Sequence, residues 1–358
     1  MRLRLTAAVV MLTVAAPVAL AEDKKTPAKA DERETQLKAL IDEFVKARKE
    51  GYAALRQAQT DEERKAAQAK LPKEVDYLPR IHLLVAGGAK DNVAAEALAF
   101  AVFGLDTKDE KVFEALNDHF VKTEKIRRFV QMAAMSGAPD GAKPVLVTVL
   151  EKNPSQELKG LACYALGAMA FEKDGVKAAK EAEIYFARVE KDFGNIKAGR
   201  KGTLGEMAKG SLFELRNLQV GMKAPPAESK NLKGEKVSLA DYQGKVVVLD
   251  IWTTWCGPCK AMIPHEREMV TRLKDKPFAL ISISVDEDKK ELEEFLEKES
   301  MPWTHWWDGA EAPLIKQWNV RFFPTIYVID AKGVIRQKNI RGEELEKAVA
   351  KLIAETKP

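Results

Sequence analysis

Two cysteines, Cys256 and Cys259, stand with Gly257 and Pro258 between them in the stretch Trp252-Thr-Thr-Trp-Cys-Gly-Pro-Cys259. A pair at this spacing can open and close a short disulfide if one sulfur is a ready nucleophile. The flanking residues supply that condition. Val246-Val-Val-Leu249 has the β-branched richness of a strand covered on both faces. Gly257 and Pro258 end it, and Pro258 suits the first turn of a helix, where a missing N–H costs nothing. Cys256 is thus expected at a helix start, where free backbone N–H groups and the positive end of the helix dipole favour a thiolate. Each pKa unit of depression corresponds to about 1.4 kcal/mol of preference for the thiolate.

Structural zinc is the rival use of such a pair, and it needs about four ligands. The third cysteine, Cys163, lies far upstream, and His82, His119, His265 and His305 show no paired spacing. Two bystander core cysteines are a further alternative, but Gly-Pro between them builds a helix start rather than a core. Redox chemistry follows, with no metal and no cofactor beyond a redox-active Cys256–Cys259 disulfide. Cys163, between Ala162 and Tyr164 on an apolar helix, reads as a buried small hydrophobe rather than a thiol relay.

The elements that must position this pair occupy only part of a 358-residue chain, long enough for two or three domains. The 46% hydrophobic and 31% charged fractions are ordinary for a soluble globular protein. The formal charge of +4 falls to +2 without Arg2 and Arg4, too little to argue for a nucleic-acid partner. Residues 1–21 pair a basic tip with an apolar run ending in Ala19-Leu-Ala21, a small-x-small cleavage pattern. That run contains Pro17 and falls short of the ~20 residues a spanning helix needs. A cleaved signal peptide is expected, hence export to the periplasm or cell envelope, where disulfides persist.

Residues 22–35 are polar and aperiodic, and are expected to form a flexible leader. Residues 36–218 carry helical periodicity almost throughout. Three Ala-rich stretches, beginning near Ala97, Arg127 and Leu158, recur at roughly 30-residue steps, the spacing of HEAT- or TPR-like helix-pair repeats. Such a domain either offers a protein-docking surface or simply packs; the sequence leaves both open. Gly221, Pro225 and Pro226 mark a boundary, and 219–358 reads as a second domain.

In that second domain Asn231 to Leu239 reads as a hairpin around Gly234, and Phe278 to Val285 as a second buried strand. Asp286 to Ser300 reads as an amphipathic helix whose Asp-Glu-Asp-Lys-Lys-Glu run is a solvated face. Trp303, Trp306 and Trp307, with His305, read as core packing or as an apolar rim for a partner. Thr325–Ile329 and Val334–Lys338 flank a Gly333 turn as an antiparallel hairpin, and Glu343 to Thr356 closes the chain as a helix. Helices between parallel strands, finished by a hairpin and a helix, make a three-layer α/β domain. Asp250 lies inside the first apolar strand; a buried carboxylate there is costly unless protonated or wet.

These residues resemble the TlpA/ResA-like branch of the thioredoxin superfamily, which is grouped with AhpC/TSA and redoxin domains. The matching pieces are Gly221-Met-Lys-Ala-Pro225, Val237-Ser-Leu239, Gly244 to Val248, Trp252-x-x-Trp-Cys-Gly-Pro-Cys259 and Phe323-Pro-Thr325. The resemblance implies that Cys256 attacks a partner disulfide and Cys259 resolves the mixed disulfide. It implies that Pro324 is a cis-proline and that Phe323 offers backbone to a substrate chain, with Trp255, Gly257 and Pro258 completing the contact. It gives Asp250 the task of taking the proton from Cys259.

Two departures stand out. Met262 occupies the place, three residues after Cys259, where the branch often carries a Glu, so its proton work is expected to fall to Asp250 or water. Ser282 and Ser284 stand where thioredoxins place a lysine. The expected function is an exported thiol–disulfide oxidoreductase acting on protein substrates as a reductant, recharged by an electron-donor thiol protein. Two alternatives accompany it: a thiol peroxidase, suggested by Thr253 three residues before Cys256, and an envelope interaction protein with a passive redox module.

Overall fold

A computed structural model describes residues 30–86, 89–173, 175–199 and 202–356. The expected signal segment, 1–21, lies outside them, as do residues 22–29. The described chain divides into two compact units between Ala97 and Leu98.

The first unit contains α1 (Ala30–Gln57), α2 (Asp61–Ala69) and α3 (Glu74–Val85). α1 already begins at Ala30, so residues 30–35, expected as part of a flexible leader, are helical. Arg33 explains the difference. Its side chain is buried, donating from Nε to Leu84 O at 2.9 Å and from the two terminal nitrogens to Asp91 at 2.6 and 3.0 Å. Read alone, Arg33 belongs to a polar stretch; paired with Asp91 it anchors a helix.

The chain passes through α4 (Asn92–Phe103) into α5 (Glu110–His119), α6 (Arg127–Ser136), α7 (Lys143–Lys152), α8 (Gln156–Phe171), α9 (Val176–Phe193) and α10 (Leu204–Asn217). The region is helical, as its periodicity predicts. The three Ala-rich stretches fall on α4, α6 and α8, of 12, 10 and 16 residues, and a regular helix-pair repeat is not confirmed by them. In α8, small residues let neighbours approach closely: a Cβ on Gly167 would lie 2.8 Å from the Phe186 ring of α9. Cys163, on the same helix, is fully buried, and burial pushes its thiol up to about 12.

A seven-stranded sheet follows, in the order β2-β1-β5-β4-β3-β6-β7. Its strands are β1 (Glu228–Asn231), β2 (Lys236–Ser238), β3 (Val246–Trp252), β4 (Phe278–Ser284), β5 (Thr304–Trp307), β6 (Thr325–Ile329) and β7 (Ile335–Lys338). β3 lies parallel to β4, and β4 to β5, while β6 joins β3 antiparallel. Between strands run α11 (Gly257–Lys260), α12 (Ile263–Arg272), α13 (Lys289–Lys298) and α14 (Pro313–Gln317), and α15 (Gly342–Glu355) ends the chain.

Alternation along β3 separates two cores. Val247, Leu249 and Ile251 face one core with Trp306, Trp318 and Tyr327, which α14 and the end of α10 cover. Val246 and Val248 face the other, with Met269 of α12 and Leu345, Val349 and Leu352 of α15. All seven residues of β3 are buried, the double-sided cover that its unbroken apolar run predicts. Trp306 is fully buried in the first core, whereas Trp303 and Trp307 are half-buried.

Candidate active site

Strand β3 delivers the chain to Cys256, and α11 begins at the next residue. Cys256 and Cys259 form a disulfide with a Cα–Cα separation of 5.3 Å. Cys256 occupies the cap position, and the Cys259 N–H donates to its Sγ at 3.2 Å. The helix beneath is a single turn. Pro264 has no N–H to offer the Lys260 carbonyl, so α12 starts afresh at Ile263. The influence on Cys256 is therefore local N–H donation more than the dipole of a long helix.

Phe323–Pro324 is a cis peptide bond. Phe323 packs against the cluster of Cys256, Cys259, Trp252 and Ile263, and its ring meets the Trp255 ring edge-on at 5.9 Å. Trp255 and Phe322 are both more than half exposed, at 68% and 51%. The sequence-predicted residues Cys256, Gly257, Pro258, Cys259, Trp255, Phe323 and Pro324 thus gather at one end of β3.

Asp250 is buried two residues behind Trp252 on the same face of β3. Its register neighbours are Ser282 on β4 and Ile326 on β6. The Ser282 hydroxyl donates to Asp250 Oδ2 at 3.5 Å and accepts from Trp303 Nε1 at 2.8 Å. Oδ1 has no partner. Burial raises the Asp250 carboxyl to about 7, against the lowering effect of the Ser282 hydroxyl and the Arg341 charge.

A second carboxyl faces it, and the sequence reading missed it. On this face of β3, Val248 packs with Met269 and Trp252 with Ile263. Asp250 lies between the two, so it meets the residue between Ile263 and Met269 on the inner side of α12. That residue is Glu266, 1% exposed, with Oε1 unpartnered. Burial, reinforced by the charge of Asp250, raises Glu266 to about 9. A signal was present: Cys259, Ile263, Glu266 and Met269 fall on one helical stripe, with a Glu inside an apolar pattern. Proton work was expected of Asp250 or water because Met262 replaced a Glu; one turn further on, the fold buries another.

Asp286 is a second omission. It was read as the start of a solvated charge run, yet it is fully buried. Its carboxylate accepts from the Thr254 N–H at 3.0 Å, the Thr254 hydroxyl at 2.8 Å and the Ser284 hydroxyl at 2.7 Å. It thereby ties down the loop that enters Cys256, while α13, starting at Lys289, carries the exposed charges. Asp286→Ala leaves those donors without an acceptor, and about 3 kcal/mol of stability is expected to be lost. Urea unfolding of the oxidised protein measures this; an unchanged midpoint would refute the tether. Thr253, on which the peroxidase alternative rests, is buried, and its hydroxyl has no partner.

Among the described residues no cluster of three or more His, Cys, Asp or Glu is arranged to hold a metal ion. Among them, too, no helix is long and apolar enough to cross a membrane.

The profile of the AhpC/TSA family matches residues 220–338. The chain is 28% identical over 151 residues to the thiol-disulfide oxidoreductase ResA of Bacillus thuringiensis subsp. konkukian, which covers 42% of this chain and 86% of the relative. It is 33% identical over 128 residues to the thioredoxin-like protein YneN of Bacillus subtilis, covering 34% of this chain and 72% of that one. Among solved structures, the thioredoxin domain of a thiol-disulfide oxidoreductase from Bacteroides vulgatus is 28% identical. It covers 38% of this chain and 99% of that domain, with a TM-score of 0.36. The family match leaves the helices up to Asn217 outside it.

Proposed function

The chain belongs, through its C-terminal part, to the ResA/YneN-like thiol-disulfide oxidoreductases of the AhpC/TSA family, and from that premise we propose that it is an exported reductant of protein disulfides. The observation that carries the reading is the Cys256–Cys259 disulfide poised above a buried pair of carboxyls. Export is supported by the basic, apolar and small-residue sequence of 1–21, and the direction by the Gly-Pro shared with reducing thioredoxins.

In the reduced protein the Cys256 thiolate attacks one sulfur of a partner disulfide. A bond forms between the two sulfurs, and the other partner sulfur leaves as a thiolate and is protonated by solvent. Asp250 then takes the Cys259 proton. The Cys259 thiolate attacks Cys256 Sγ, closes the intramolecular disulfide and releases the second partner thiol. Two electrons pass to the partner, and a thiol protein of the same compartment returns them. Phe323 and Pro324 present backbone to the substrate chain beside Trp255, Gly257 and Pro258. Residues 219–358 form this redox module.

Cys259→Ser tests the reading. Reduced and mixed with an oxidised protein such as insulin, this variant is expected to accumulate a mixed disulfide through Cys256, visible on a non-reducing gel and absent in Cys256→Ser. No adduct, together with no insulin reduction by the wild type, would refute disulfide exchange.

A further inference from the structure

The last helix of the helical region reaches the loop that leads into Pro324. Glu214 of α10 is only 12% exposed at its side chain, and three donors converge on it. Oε2 accepts from Asn319 Nδ2 at 3.0 Å and from Arg321 at 3.3 Å, and Oε1 accepts from Lys338 Nζ at 3.2 Å. Lys338 in turn sits over the Tyr327 ring at 5.5 Å. One turn earlier, Gly210 lets the helix backbone touch the same loop. A Cβ there would lie 2.5 Å from Asn319 Oδ1. Asn319 itself is held at φ +53, a left-handed conformation that needs local support.

The far end of the loop is fixed as well. Arg341 donates to the Pro324 carbonyl at 3.4 Å, and the Thr325 hydroxyl donates to Phe322 O at 2.7 Å. Trp318 is buried in the sheet core. With both ends held, the loop presents Arg321 and Phe322 outward, next to Phe323, whose ring meets Trp255.

We propose that Glu214 is a positioning residue for protein substrates: it braces the 319–323 loop so that the Phe322–Phe323 edge meets an extended substrate chain in a fixed pose. The helical region then contributes to substrate selection through its own last helix, at a point outside the family match. The proposal rests on the reading of Phe323 and Pro324 as the substrate edge. A carboxylate with three donors in a nearly closed setting exchanges little with water, so its bonds are stronger than those of an open surface pair. A loose loop costs affinity for a substrate that must pair with it and costs nothing for a small disulfide that reaches Cys256 directly.

The test uses the full chain carrying Glu214→Gln. Reduction of insulin is compared with reduction of 5,5′-dithiobis(2-nitrobenzoic acid). The expected result is a rise of about fivefold to tenfold in KM for insulin, the loss of roughly one charged hydrogen bond, with kcat for insulin and the small-disulfide rate unchanged. Gly210→Ala, which keeps every charge but pushes on Asn319, is expected to give the same split. If both substrates slow together, or if neither variant moves the insulin KM, the brace is refuted while disulfide exchange stands. If the wild type reduces neither substrate, the functional reading itself fails and takes the proposal with it.

Discussion

Replacing Asp250 by Asn and Glu266 by Gln together raises the stability of the oxidised protein at pH 8, by on the order of 4 kcal/mol, and does not raise it at pH 4. The sign follows from two carboxyls whose folded values, about 7 and about 9, lie above their ordinary ones. Unfolded, both ionise near pH 4. Above that pH the unfolded chain has released protons that the folded protein still holds, so raising the pH favours unfolding. The loss is complete for Asp250 near pH 7 and for Glu266 near pH 9. Each pH unit within a group's window removes about 1.4 kcal/mol. The amides do not ionise and escape this slope, although a poorly partnered buried amide returns about 1–3 kcal/mol of the gain. Urea midpoints of both proteins at pH 4, 6 and 8 measure the difference. Parallel stability curves would show that the pair does not titrate in this window.

Why keep two carboxyls where they weaken the fold? A buried acid near neutral pH is suited to a place where a proton must move, and such residues gather at functional sites. The single Ser282 hydroxyl, itself held by Trp303 Nε1, is a small concession for a buried charge. It leaves one oxygen of Asp250 and one of Glu266 unpartnered beneath the cysteine pair.

What could be read in the chain beforehand was whatever depends on local pattern. The β-branched run of β3, the Gly-Pro at the start of α11 and the turn at Gly333 each declare themselves within a few residues, and the sheet follows from them. What could not be read depends on partners distant in sequence. Asp286 looks like one charge in a solvated run until Thr254, 32 positions away, donates to it. Arg33 looks like leader until Asp91 pairs with it, and Glu214 looks like helix surface until Asn319 arrives, 105 positions on. Glu266 is the intermediate case. Its place in the stripe Cys259, Ile263, Glu266, Met269 was visible, but what it faces was set by the register of β3 against α12.

That register also fixes the rate expected when Asp250 is lost. Asp250→Asn slows closure of the mixed disulfide by about a hundredfold at pH 8, the usual range for a missing general base. Attack by Cys256 on the partner is expected to change little, because the Cys256 sulfur is supported by the Cys259 N–H rather than by a carboxylate. Product release by the wild type should rise with pH through about 7, as Asp250 ionises and becomes able to accept the Cys259 proton. In Asp250→Asn that rise should vanish, leaving only the later one in which Cys259 ionises unaided. Glu266→Gln separates the roles: it removes the neighbouring acid but keeps the base, so the rise should persist with its midpoint still near 7, because Glu266 holds its proton where Asp250 ionises. Rapid-quench measurement of mixed-disulfide decay between pH 6 and 10 follows both variants. Equal profiles for wild type and Asp250→Asn would mean that water, and not the buried pair, receives the proton.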